Sequence, residues 1–136
     1  MAEKEPLVGI IDSNQDVIEI MEIWIRNVGF RTASENLIRI KDKPERYLRF
    51  LSCYDPRVLA IDVPFPYEEN WNFIRGLMNL KESEGRGFVL TTTNKPRLER
   101  LVNATETLEL VDKPFDLDEL AKKIIETCQS FKGNRR

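Results

Sequence analysis

Short, nearly unbroken apolar runs set apart by amphipathic stretches constrain this chain more than any other feature. "LVGII" (Leu7 to Ile11), "RVLAI" (Arg57 to Ile61) and "GFVLT" (Gly87 to Thr91) lack the strict apolar–polar alternation of a half-wet strand. They predict strands covered on both faces. Between the first two, Val17, Ile20, Met21, Trp24, Ile25 and Val28 recur at helical spacing, and Gly29 supplies a stop. Near the other end, Leu117, Leu120, Ala121, Ile124, Ile125, Cys128 and Phe131 form a stripe of the same period, with Asp116 placed to cap it. In the middle, Pro44 opens a helix carrying Tyr47, Leu48 and Leu51, and Trp71, Ile74, Leu77 and Met78 mark another. Pro96 opens a further helix with Leu98, Leu101 and Val102 inward. Two more strands are expected around Phe30 to Ala33 and Leu108 to Val111. Five strands alternating with five helices imply an α/β fold: a parallel sheet with right-handed crossovers, helices on both faces, and ligands gathered at the carboxyl ends of the strands.

The 136 residues suit one domain, expected to span 1–131 with a short basic tail at 132–136. Lys and Arg number 21 against 23 Asp and Glu, so no whole-domain field draws the chain to nucleic acid or to an anionic membrane. No apolar run is long enough to span a bilayer and "MAEKEP" is not a signal peptide, which points to the cytoplasm. The two cysteines, Cys53 and Cys128, fall in apolar-periodic segments without metal-ligand spacing, so both are expected to be buried thiols. The absence of histidine excludes a Ser-His-Asp triad, a Cys-His pair, imidazole zinc ligands and a phosphohistidine carrier. Any site must be built from carboxylates, hydroxyls, lysines and backbone.

Such residues stand where buried strands leave the core. Asp12 ends the first strand, Asp62 the third, and Thr91 or Thr92 the fourth, while Lys113 follows the fifth in "LVDKPF". Singly, each has an ordinary explanation, since an aspartate after a strand is most often a turn or capping residue. Together, in this order, they converge on one crevice.

With these residues in place, the chain resembles the receiver domain of two-component response regulators over nearly its whole length. The resemblance rests on "VLAIDVPFP", "VDKPF" and "GIIDSNQDVIEIMEIWIRNVGF". It implies a flavodoxin-like sheet of order 2-1-3-4-5, phosphoryl acceptance on Asp62, and a family proline at Pro66. It also implies a pairing lysine at Lys113, a Lys113–Pro114 bond that is often cis in the family, and a switch hydroxyl at Thr91 or Thr92. The spacing to Lys113 favours Thr91. Magnesium would be held, at a weakened site, by Asp12, Asp62 and the Pro64 carbonyl, with Ser13 a further candidate ligand. Implied partners are a histidine kinase or phosphotransfer protein, an effector, and a second copy through the fourth helix, fifth strand and fifth helix, where Arg97, Arg100 and Glu106 fall. Enzymatic activity would go no further than magnesium-assisted phosphorylation and dephosphorylation of Asp62.

The pattern also departs from the family. Ser13 stands where a second acidic residue normally ligates the metal, Thr92, or Thr93 in the other register, follows the switch threonine in place of a small residue, and Leu110 replaces a frequent aromatic. The segment from Ala33 to Asp55 is longer than usual. These departures support an alternative, a pseudo-receiver that keeps the fold as a constitutive protein-interaction module. A small flavodoxin-like enzyme or nucleotide binder is the third reading, and Ser13-Asn14-Gln15 lacks the glycine-rich phosphate turn it needs.

Overall fold

A computed structural model of the chain describes residues 5–102, 109–112 and 117–130. Five parallel strands, β1 (Leu7–Asp12), β2 (Arg31–Asn36), β3 (Val58–Asp62), β4 (Gly87–Thr92) and β5 (Glu109–Asp112), form one sheet in the order β2-β1-β3-β4-β5. Strand alternation sorts the core into two layers. Val8, Ile10, Val58, Ala60 and Val89 pack with α1 (Gln15–Asn27) and α6 (Leu117–Ser130). Leu7, Ile11, Leu59, Ile61, Phe88 and Leu90 face the other way, onto α2 (Leu37–Asp42), α3 (Glu45–Tyr54), α4 (Tyr67–Met78) and α5 (Lys95–Val102). Both faces are covered, which is why these strands read as continuous apolar runs.

Local signals explain most boundaries. Asn14 caps α1 by accepting from the backbone N–H groups of Asp16 and Val17. At the other end Gly29, at φ +103°, closes a Schellman turn in which Phe30 N–H donates to Ile25 and Gly29 N–H donates to Arg26. Gly9 is needed for a different reason: a Cβ there would come within 2.8 Å of the Phe50 ring.

Three expectations need correction. There are six α-helices among the described residues, not five, with a 3-10 turn at Lys81–Ser83. The additional one, α2, fills the long segment after β2; Asn36 Oδ1 caps it by accepting from Ile38 N–H at 2.8 Å, and Leu37 and Ile40 bury. Second, β2 runs to Asn36 rather than Ala33, because all six of its residues pair with β1. Third, Cys53 is exposed while Cys128 is buried, since Cys53 lies off the Tyr47, Phe50 and Leu51 stripe of α3. The tail 132–136 lies outside the described residues, and no helix among those described is long and apolar enough to cross a membrane.

Candidate functional site

The register of three adjacent strands builds the site. Ile11 pairs with Ile61, so Asp12 and Asp62 come next at the carboxyl ends of neighbouring strands, and Asp62 itself pairs with Thr91. Neighbouring strands lie about 4.8 Å apart, so the two carboxylates and the hydroxyl share one crevice. All three are almost fully buried, at 1%, 5% and 1% exposure. Buried carboxylates need partners. Asp12 Oδ1 accepts from Asn14 N–H at 3.0 Å, the turn that leads into the α1 cap. Thr91 Oγ1 donates to Asp62 Oδ1 at 3.1 Å.

Strand alternation separates the two threonines. Thr92 points away from Asp62, donating to the Val63 carbonyl at 3.1 Å and accepting from Asn94 N–H at 3.3 Å. Thr91 is therefore the hydroxyl that the fold delivers to Asp62. Ser13 is half-buried directly after Asp12. Lys113, Pro114, Asp116 and Glu106 lie outside the described residues, as does the side chain of Leu110, whose backbone pairs with Leu90 in β4. A cis peptide does occur close to Asp62, at Phe65–Pro66.

Two residues that reach the loop after β3 were missed in the sequence. Asn70, on α4 and 3% exposed, donates through Nδ2 to the Pro64 carbonyl at 3.0 Å. Lys41, on α2, donates from Nζ to Asn70 Oδ1 at 2.6 Å. Periodicity could not find either, because the link depends on two helices meeting in space. On the rim, Phe65 is 78% exposed and stands edge-on to Tyr67, whose hydroxyl bonds Thr93 at 2.7 Å. Arg97 and Glu68 make an exposed ion pair at 3.8 Å.

For a metal, the described donors are sparse. No group of three or more histidine, cysteine or acidic residues that could hold an ion occurs among the described residues. Magnesium commonly takes only one or two carboxylates, completed by water and phosphate oxygens, so Asp12 with Asp62 fits such a site. The Pro64 carbonyl already accepts a hydrogen bond from Asn70. Two grooves of about 200 and 210 Å³ flank the Glu35–Arg46 ion pair at the β2 edge, and neither is lined by Asp12 or Asp62.

An open parallel sheet of order β2-β1-β3-β4-β5, wound on both faces, defines the flavodoxin-like class. Within that class, the chain has the CheY-like receiver fold. It is similar to a response regulator receiver domain (CheY-like) from Methylobacillus flagellatus, at 17% identity and TM-score 0.69, covering 91% of this chain and 98% of that one. It is similar to a response regulator from Thermotoga maritima, at 20% identity and TM-score 0.70, covering 92% and 98%. A sensor protein from Polaromonas sp. JS666 matches at 16% identity and TM-score 0.73, covering 93% and 98%. No family model and no curated protein matches the sequence.

Proposed function

We propose that this chain is a receiver that takes a phosphoryl group on Asp62 and thereby changes a protein-binding face. The observation that carries this reading is the buried Thr91–Asp62 hydrogen bond beside Asp12, at the carboxyl edge of a receiver-type sheet. Asp62 supplies the nucleophile: one carboxylate oxygen forms the new P–O bond as the bond from phosphorus to the donor's nitrogen or acyl oxygen breaks, and the leaving group carries away that electron pair. Asp12 and Asp62 would hold magnesium, which neutralises charge on the transferring group when bound. Thr91 orients Asp62 at rest and then has its hydroxyl free to donate to the new phosphoryl oxygens. Lys113, which follows β5 in the chain, would pair with Asp62 and afterwards with the phosphoryl group. Partners of this reading are a histidine kinase or phosphotransfer protein and an effector, with self-association through the α5–β5–α6 face.

A second reading has its own support. Ser13 supplies no charge where the family pattern has an acid, and the Pro64 carbonyl is already engaged. Both favour a pseudo-receiver that works as a constitutive interaction module. Intact mass after incubation with acetyl phosphate or phosphoramidate and magnesium separates the two readings. A single phosphoryl adduct absent from Asp62→Asn supports the switch; an unmodified wild type supports the interaction module.

A further inference from the structure

The orientation of Asn70 follows from chemistry alone. An ammonium has only hydrogens to offer, so the Asn70 atom facing Lys41 at 2.6 Å must be the amide oxygen, and Nδ2 must face Pro64. The amide is held on its backbone side too, since Asn70 N–H donates to the Pro66 carbonyl at 3.1 Å. With 3% exposure, the side chain has little room to turn away. The result is a relay from the Lys41 ammonium through the Asn70 amide to the carbonyl two residues after Asp62.

We propose that Lys41 and Asn70 are positioning residues that hold the β3–α4 loop by its Pro64 carbonyl and oppose a divalent cation there. The inference rests on reading the Asp12–Asp62 pocket as a magnesium site. Two effects act in the same direction. A hydrogen-bond donor polarised by an ammonium already places positive charge against the oxygen a cation would approach. The charge of Lys41, exposed and so partly screened by water, also adds to the electrostatic cost of bringing a dication to the Pro64 carbonyl. The helix that carries Lys41 is the one additional to the expected five, so the insertion after β2 and the loop after β3 form one device. With an organic cation and an amide tying the loop, its conformation does not depend on metal.

Magnesium titrations followed by Trp71 fluorescence, with Ser13→Asp as a metal-binding control, test this in the full chain. Trp71 is a suited reporter because it is buried and adjoins Asn70. Lys41→Met should tighten magnesium by about threefold or more, and Lys41→Arg, which keeps the charge, should bind as wild type does. Asn70→Ala should also bind magnesium more tightly, and in EDTA should melt at a lower temperature that magnesium partly restores. Unchanged or weaker magnesium binding in Lys41→Met, while Ser13→Asp binds tightly, would overturn the pair and leave the pocket reading standing. If neither wild type nor Ser13→Asp responds to magnesium, the pocket reading falls and the proposal with it.

Discussion

Thr91 donates its hydroxyl hydrogen to Asp62 across the β3–β4 pair at 3.1 Å, with both side chains buried. The two are direct partners in the parallel register, so no loop movement is needed to bring them together. Because the acceptor is a buried carboxylate, losing the donor removes one of the interactions that offset its burial. Thr91→Val, which keeps the shape, should cost about 1–2 kcal/mol in urea unfolding. Thr91→Ser should cost less than Thr91→Val. In the proposed switch, Thr91→Val should still gain a phosphoryl adduct while losing the adduct-induced NMR shifts on β4 and α5.

A carboxylate at position 13 should act in opposite directions with and without metal. Ser13 follows Asp12 directly and is half-buried, so Ser13→Asp crowds a third negative charge against Asp12 and Asp62. In EDTA the variant should be less stable than wild type. In the proposed magnesium site it should bind the ion about tenfold more tightly, equivalent to about 1.4 kcal/mol, as one more hard oxygen ligand joins a sparse set. Differential scanning calorimetry in both conditions reads both signs. Equal affinity in the two proteins would show that position 13 does not face the ion.

What was legible in the sequence was what local pattern encodes. The β1, β3 and β4 cores stand out because both faces are buried, and Asp12 and Asp62 stand out because they end such runs. Less legible was β2, an edge strand whose Thr32, Ser34, Glu35 and Asn36 are all half-exposed and so dilute the strand signal. The short α2 offers only Leu37 and Ile40 as buried positions before Lys43 and Pro44 intervene; Asn36 as its cap was the readable clue. Lys41 and Asn70 could not be paired by any local rule, because each looks like an ordinary surface residue of its own helix until α2 and α4 are placed side by side.

Gly9 should resist replacement by even one methyl group. An alanine Cβ would sit 2.8 Å from Phe50 Cε2 and 2.9 Å from Leu59 Cδ2, inside contact distance on the centre of the sheet. Overpacking of this kind costs about 1–3 kcal/mol. Phe50→Leu makes a void that the methyl can partly use, so Gly9→Ala should be less damaging in that background. A double-mutant cycle by chemical denaturation measures the coupling, and strict additivity would show that the helix shifts away instead.

Tyr47 and Ser83 tie α3 to the turn before β4 and make stability fall at alkaline pH. Ser83 Oγ spends its one hydrogen on the Leu77 carbonyl at 2.7 Å, so Tyr47 must be the donor in the 2.7 Å bond between the hydroxyls. Burial pushes the Tyr47 hydroxyl above its ordinary pKa, and the charge of Arg86 works against that rise without reversing it. The folded state therefore holds the proton more tightly than the unfolded chain does. Below about pH 10 both states are protonated and the contribution is complete; above it the unfolded state ionises first, and stability is lost toward the folded pKa. Tyr47→Phe should be about 1 kcal/mol less stable at neutral pH, with one buried hydrogen bond gone. Above about pH 10 that gap should narrow, by up to about 1.4 kcal/mol per pH unit, because the variant lacks this ionisation. Urea unfolding of both proteins between neutral pH and pH 11 checks it, and parallel pH curves would remove Tyr47 as the cause.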